Sequence, residues 1–322
     1  MRFISIPQNG ASWSKKLIYS FDTELDEPTD VDVEIYNQTT HQLIARKRMY
    51  GVQRAELDIA PILRSAMEMT IPEVESSRAL SSPMGCKVAV GIMGLMSVER
   101  LFSAANIEQL RPQMMSYLPD KFVVGYGEKL AFSVLAPSGL QVKIAEYAPN
   151  SRRSITLTPD SQLVFYDVVI CTTDLRGDVE RIVVSVTSGS DEIMRFECRV
   201  ESKLPAGRRL VWRNRSGGIE SYLFPKSLPL VAEADVDAFT TSAGVMAKLR
   251  GAQERYRLCS ALEHGEALDT LREIIYAPYI YQMTLTELRD VVLVTRRMEC
   301  AKCGELQSVV LEIVDEWRGG EQ

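Results

Sequence analysis

The chain has 322 residues, of which 46% are hydrophobic and 25% are charged, and its formal net charge is −6. This length exceeds one small core, so the composition predicts two or three soluble, globular domains. The acidic balance argues against a general nucleic-acid binder and against docking on an anionic membrane, because both need a basic surface. We therefore expect no nucleic acid and no membrane among the partners.

The N-terminus and the cysteines predict a cytoplasmic protein. The apolar run at the start of the chain is interrupted by polar residues after Ile6, which leaves it too short for the apolar core of a signal peptide. No stretch is long enough for a membrane-spanning helix. The six cysteines are spread widely. We expect no signal peptide, no transmembrane segment and reduced thiols.

Residues 1–107 carry mainly strand signals. Residues 31–36 (VDVEIY) alternate apolar and acidic side chains, as a half-buried strand does, and a short turn leads to a second strand over 42–50. Apolar residues at helical spacing predict a short helix within 55–67. We predict a β-sandwich-like domain with one short helix.

Residues 108–228 contain eight short runs rich in β-branched and aromatic residues, from FVVGYG to RRLVWRN. Turn residues such as PSG, TPDS and LPAG separate them at regular intervals. This spacing is typical of a sandwich or barrel of immunoglobulin-like size. We predict a second β-sandwich-like domain that ends in a hairpin.

Residues 229–322 change character. Residues 263–276 form an amphipathic helical pattern that ends before Pro278, and further strands surround it. Residues 237–249 are compatible with a long strand or a loop. We predict a small α+β domain, with one helix on an antiparallel sheet. The predicted fold class of the whole chain is mainly β.

The stretch LVWRNRSGGIESYLFP (210–225) raises the question of a binding site or a structural hairpin. The paired glycines suit a tight turn with positive φ, and Asn214 can hydrogen-bond the turn backbone. The alternative is a surface hairpin whose tip touches a partner. The candidate interaction residues are Trp212, Asn214, Gly217, Gly218, Tyr222 and Phe224.

Four arginines lie in or beside this hairpin. Arg208, Arg209, Arg213 and Arg215 form a short basic run, which we interpret as solvated surface rather than a phosphate site.

No motif for catalysis or metal binding stands out. The chain has two histidines, and the sequences of hydrolase, zinc-protease and phosphate-loop motifs are absent. Cys300 and Cys303 form one CxxC pair, which we place at a hairpin turn. The alternative is a zinc knuckle completed by Cys259 or His264. We expect no catalytic residue, no cofactor and no metal, and we do not expect a small-molecule ligand.

Tyr276, Tyr279 and Tyr281 form the densest aromatic group. Tyr279 and Tyr281 share one face of a predicted strand. A carbohydrate-binding face, an interface with another protein and ordinary packing all fit this pattern. We take the three tyrosines as candidate interface residues.

Two segments of the chain together resemble a known group of proteins. One is the W-x-N-x-x-G-G hairpin followed by an aromatic strand; the other is a strand, a helix, a short apolar strand and a final hairpin ending in LEIVDEW. Together, over residues 208–316, they resemble uncharacterised virion proteins of the tail or baseplate type from prophages of Bacteroides-like bacteria. Where that family has Ser-Pro after its helix, this chain has Ala277–Pro278.

The resemblance implies a structural protein that is not an enzyme. Its partners would be copies of itself and other virion proteins, and it would pass from the cytoplasm into the virion during assembly. A different class remains open, namely a carbohydrate- or peptide-binding β-sandwich module at the cell surface.

Overall fold

The computed structural model describes residues 1–67, 69–105, 107, 110–119, 121–149, 151–159, 164–202, 207–241, 244–284, 287–298 and 305–318. The protein is mainly β, as the sequence predicts: strands dominate the described residues and only two short α-helices accompany them. Within those ranges, neither helix has the length and apolar character required to cross a membrane.

The first part of the chain folds into two sheets that enclose one core. Its elements are β1 (Arg2–Ser5), β2 (Ile18–Asp22), β3 (Thr29–Asn37), β4 (Gln42–Val52), β5 (Arg54–Asp58), α1 (Ala60–Ala66), β6 (Arg78–Ser81), β7 (Gly85–Ile92), β8 (Leu95–Met96) and β9 (Arg100–Ser103). A three-stranded sheet in the order β1-β2-β5 faces a sheet in the order β4-β3-β7-β8, with β9 beside β7. We call these two sheets, together with α1, the first sandwich; β6 belongs to a sheet of the second sandwich, described next.

The alternation predicted over residues 31–36 is present in β3. Val31, Val33 and Ile35 are fully buried, whereas the acidic residues between them point away from the core. The helix predicted within 55–67 begins only at Ala60. Residues 54–58 are a strand instead, because they pair along their length with β2.

The middle of the chain forms the second sandwich. Its elements are β10 (Gln113–Met114), β11 (Lys121–Gly125), β12 (Lys129–Leu135), β13 (Leu140–Ala148), β14 (Ser151–Leu157), β15 (Phe165–Cys171), β16 (Arg181–Ser188) and β17 (Asp191–Glu201). One sheet has the order β10-β12-β15-β6 and the other β11-β17-β16-β13-β14. Apolar residues from both sheets form a single buried cluster.

The last part of the chain forms one seven-stranded sheet, which we call the third sheet. Its elements are β18 (Arg208–Arg213), β19 (Ile219–Phe224), β20 (Lys226–Thr241), β21 (Gly244–Glu263), α2 (Gly265–Glu273), β22 (Ile280–Met283), β23 (Leu288–Leu293) and β24 (Gln307–Arg318). The strand order is β19-β18-β22-β23-β24-β21-β20. Helix α2 buries Leu268 and Leu271 in the core of this sheet.

The structure settles two open points in this region. Of residues 237–249, for which the sequence is compatible with a strand or a loop, 237–241 belong to β20 and 244–249 to β21. The predicted helix over 263–276 is confirmed as α2 followed by a 3-10 turn at Ile274–Tyr276. The predicted turn at Cys300 and Cys303 lies outside the described residues.

The three-domain division stays a prediction, but two segments pair across its limits. Strand β6, from the first predicted domain, pairs with β15 of the second sandwich. The hairpin β18–β19 falls in the second predicted domain, yet β18 pairs with β22 and so belongs to the third sheet.

Candidate functional site

The hairpin β18–β19 joins the second sandwich to the third sheet. Successive side chains of a strand point to opposite faces. Leu210 and Trp212 enter the core of the third sheet, where Phe224 joins them. Val211 points the other way and packs with Ala131 of β12. One strand therefore contributes to two cores.

Arg213 lies on the Val211 face and is fully enclosed, although the basic run was expected on the surface. Its guanidinium pairs with Asp167, with Nη2 2.6 Å from Oδ2 and Nη1 3.3 Å from Oδ1. It also donates to the carbonyl oxygens of Thr70 at 2.8 and 3.0 Å and of Gly217 at 2.8 Å. The side chains of Arg213 and Asp167 are each 1% exposed. This ion pair ties three distant parts of the chain together.

Arg209 repeats the arrangement four residues earlier on the same face. Its Nε is 2.9 Å from Oε1 of Glu128, and Nη2 donates to the carbonyl oxygen of Val123 at 2.9 Å. The second carboxylate oxygen of Glu128 accepts the backbone N–H of Gly125 at 2.7 Å. The interpretation of Arg209 and Arg213 as solvated surface is therefore wrong, because the second sandwich covers this face of β18.

The tip of the hairpin is held by its own residues. The backbone N–H of Gly218 donates to Oδ1 of Asn214 at 2.9 Å, as expected for a turn-forming asparagine. Gly217 has φ +86°, a conformation that favours glycine. At Gly218 the constraint is steric instead, because a Cβ there would lie 1.9 Å from the backbone oxygen of Met115.

Gly218→Ala is expected to destabilise the protein by about 1–3 kcal/mol, the usual range for an overpacked interior. The obstacle is a backbone oxygen, which cannot rotate away as a side chain would. The midpoint of urea-induced unfolding measures the effect. Gly177→Ala is the matched control, because a Cβ at that exposed glycine meets nothing within 4 Å. Equal midpoints for both variants would contradict the steric argument.

Glu220 is buried on the opposite side of the hairpin from Arg213. Its Oε1 accepts from Nδ2 of Asn214 at 2.6 Å and from the backbone N–H of Tyr117 at 3.2 Å. Removal from water raises the pKa of the Glu220 carboxyl to about 8, although both hydrogen bonds act to lower it. The hairpin therefore holds a carboxyl group that is protonated near neutral pH.

The structure does not place the candidate interaction residues on the surface. Trp212 and Phe224 are fully buried, and Asn214 is 9% exposed. Tyr222 is half-buried, and its hydroxyl donates to Glu263 at 2.6 Å. The hairpin is therefore an interior element; at its tip, Arg215 and Ser216 are exposed.

The three candidate tyrosines lie in a different place, near the start of β22. Tyr276 and Tyr279 are 63% and 53% exposed, and Tyr281 is partly buried. The ring of Tyr276 is covered by the guanidinium of Arg215, 4.7 Å from the ring centroid.

Tyr279 and Tyr281 line a pocket of about 610 Å³, which we call the tyrosine groove. Its walls also include Ile275, Pro278, Asp290 and Arg296. Tyr281 lies directly opposite Asp290 in the pairing of β22 with β23. Burial raises the pKa of Tyr281, and the negative charge of Asp290 adds to that shift. The structure thus brings together two of the three predicted tyrosines and adds two charged residues that the sequence analysis did not select.

Three of the described cysteines, Cys86, Cys171 and Cys198, are buried, and Cys259 is partly buried. Burial raises the pKa of Cys86 and of Cys198 to about 12, which keeps both protonated. No group of three or more potential metal ligands occurs within the described ranges. Cys300 and Cys303 lie outside them. Both histidines, His41 and His264, are exposed.

Comparisons with known proteins add little to this geometry. No protein-family model and no curated protein matches the chain. Among solved structures, it has 10% identity and a TM-score of 0.16 with a structure of a 1.5-MDa bacterial ice-binding adhesin, covering 80% of this chain and 88% of the other. With the plexin A4 extracellular region it has 9% identity and a TM-score of 0.18, covering 98% of this chain and 36% of the other. Scores this low support no argument about function.

Proposed function

We propose that the protein is a non-enzymatic assembly protein that associates with copies of itself by strand addition along β20, as part of a phage tail or baseplate. The observation that carries the proposal is the edge of the third sheet. Strand β20 has 16 residues and is the last strand of that sheet. Among the described strands, β21 alone pairs with it. A long edge of this kind presents backbone groups to another chain.

Four apolar side chains of this edge are exposed. Leu228, Leu230, Val231 and Val236 are between 39% and 50% exposed. Proteins that avoid association protect their edge strands with charges, prolines or bulges. Strand β20 has such features in its charged residues, in its proline and in two irregularities of its pairing. The apolar side chains that remain exposed on either side of the irregularities support association along this edge.

The far end of β20 and β21 extends beyond the rest of the sheet. The pairing of β21 with β24 reaches Gly251 and Arg318, whereas residues 236–249 pair only with one another among the described residues. A two-stranded ribbon is at best marginally stable in water. Contact with a neighbouring chain would stabilise it, which supports the assembly proposal.

The polar groups buried in the interior also support a structural role. Arg209 and Arg213 are paired with Glu128 and Asp167 and with backbone carbonyl oxygens. Removal of one member of such a pair would leave an uncompensated charge in the interior, so these groups serve the fold. The tail or baseplate is proposed from the resemblance of residues 208–316 to prophage virion proteins, and other virion proteins would be further partners there.

Size-exclusion chromatography with light scattering at rising protein concentration tests self-association. The wild-type mass is expected to rise with concentration, and the variant Val231→Lys/Val236→Lys is expected to remain monomeric, because charges on an edge strand oppose pairing. Val98→Lys, at an equally exposed valine outside the third sheet, is the matched control.

Two results would overturn the proposal. The first is a wild-type protein that stays monomeric at every concentration. The second is association by the double lysine variant that equals that of the wild type. Circular dichroism should show the same strand content for all three proteins, so that unfolding does not imitate a loss of association.

A carbohydrate- or peptide-binding module at the cell surface is the second candidate. It is favoured by the tyrosine groove, whose volume falls within the range of about 300–1,000 Å³ typical of ligand sites. Strict monomers together with tight ligand binding would rank this candidate first.

A further inference from the structure

The tyrosine groove offers hydrogen-bonding groups that the described protein leaves unused. The hydroxyls of Tyr279 and Tyr281 make no hydrogen bond with any described residue, and neither Asp290 nor Arg296 has an ion-pair partner among them. All four line the same pocket. A few polar groups that converge in a partly apolar pocket are the usual sign of a ligand site.

The strand register fixes the relative positions of these groups. Tyr279 lies just before β22 and precedes Tyr281 by two residues. Asp290 stands opposite Tyr281 across the β22–β23 pair, so the two Cβ atoms are about 5 Å apart. The pocket thus combines the exposed ring of Tyr279 with the carboxylate of Asp290, and Ile275 and Pro278 add apolar surface.

Side chains supply the specific recognition groups of the groove. Strand β22 pairs with β18 on one side and with residues 288–290 of β23 on the other. Residues 291–293 of β23 pair with β24. The polar side chains that line the groove provide an aromatic surface with a carboxylate acceptor and a guanidinium donor.

A sugar ring matches this combination. One face of a pyranose consists of C–H groups that pack on an aromatic ring, while its hydroxyls both donate and accept hydrogen bonds. A carboxylate accepts from two neighbouring hydroxyls, and the planar guanidinium donates from several N–H groups. We propose that the tyrosine groove binds a saccharide, which packs on Tyr279 and hydrogen-bonds to Asp290 and Arg296. This inference deepens the second candidate function and is independent of association through β20.

Saturation-transfer NMR tests the proposal with a mixture of the methyl glycosides of glucose, galactose, mannose, N-acetylglucosamine and N-acetylneuraminic acid. Transfer from the protein to the ring protons of at least one glycoside is expected. Tyr279→Ala and Asp290→Asn should each weaken its affinity by about tenfold or more, which corresponds to roughly 1.4 kcal/mol. Tyr50→Ala is the matched control, since Tyr50 is 72% exposed on the first sandwich.

Three outcomes would overturn the inference: transfer to none of the glycosides, transfer that Tyr279→Ala leaves unchanged, or binding of decaproline in the groove in place of the glycosides. The last would assign the groove to a proline-rich peptide. Val231→Lys/Val236→Lys should retain glycoside binding. If that variant loses association while no glycoside binds the wild type, the saccharide inference fails and the assembly proposal stands.

Discussion

Replacing Arg213 with methionine is expected to lower the free energy of unfolding by about 3–5 kcal/mol, the range for breaking a buried ion pair by removing one partner. Methionine fills much of the volume of the arginine stem, so the loss arises from the polar groups left behind. Asp167 would remain buried with the hydroxyl of Ser133, 2.6 Å from Oδ1. The carbonyl oxygen of Thr70 would lose the two hydrogen bonds that it accepts from Nε and Nη2 of Arg213. The midpoint of urea-induced unfolding provides the measurement.

Arg215→Met, two residues along the chain, is the matched control. Arg215 is 65% exposed and pairs with Glu273 at 3.1 Å, and exposed pairs contribute between about 0 and 1 kcal/mol. The double variant Arg213→Met/Asp167→Leu should recover part of the loss, because it no longer buries an unpaired charge. A single variant Arg213→Met that is as stable as Arg215→Met would show that the buried pair does not hold the two units together.

Arg213 and its partners show why the sequence predicts strands and turns better than it predicts which of their side chains are buried. Alternation in VDVEIY and the glycines of the 214–218 turn act over a few residues, and both features appear in the structure. The burial of Arg213 depends on Asp167, 46 positions away, and on Thr70, 143 positions away. A strand with two arginines on one face, as in β18, has the pattern of a half-exposed strand, because the sheet that covers this face leaves no local signal in the sequence.

The candidate sites illustrate the same limit. Trp212 and Phe224 are conspicuous in the sequence, but large aromatic residues are also typical core residues, and here they are buried. The sequence singles out the tyrosines after α2 by their density and by the strand face that Tyr279 and Tyr281 are predicted to share. Their relation to Asp290 follows from the register of β22 with β23, which short-range patterns do not determine.

Arg213 and Glu220 are both buried ionisable side chains of the hairpin, but they differ in the partners that surround them. Arg213 is paired with the carboxylate of Asp167, a group of opposite charge. Glu220 has neutral donors only, the amide of Asn214 and the backbone N–H of Tyr117. Without a nearby cation among its contacts, the cheaper state for this carboxyl in the interior is the protonated one. The hairpin thus buries an ion pair on one face and, on the other, a carboxyl group whose contacts include no cation.

The stability of the wild type is therefore expected to fall as pH rises from about 5 to about 9. The folded-state pKa of Glu220 is about 8, above its ordinary value of 4.5. Between these values the folded protein binds a proton that the unfolded chain has lost, so the stabilising proton is fully present below the lower pKa and is lost as pH passes the upper one. The loss is on the order of 5 kcal/mol at most, at about 1.4 kcal/mol per pH unit. Urea unfolding over this pH range measures it.

Glu220→Gln should remove most of the pH dependence of the free energy of unfolding, and the variant should be more stable than the wild type at pH 9. The reason is that a glutamine Oε1 still accepts from Asn214 and Tyr117 without ever carrying a charge. Glu99→Gln, which replaces an exposed carboxylate, should keep the wild-type slope. A wild-type slope in Glu220→Gln would mean that another group carries the pH dependence. A flat profile in the wild type would mean that Glu220 is ionised in the folded protein, in which case water or a cation must reach the space between Asn214 and Tyr117.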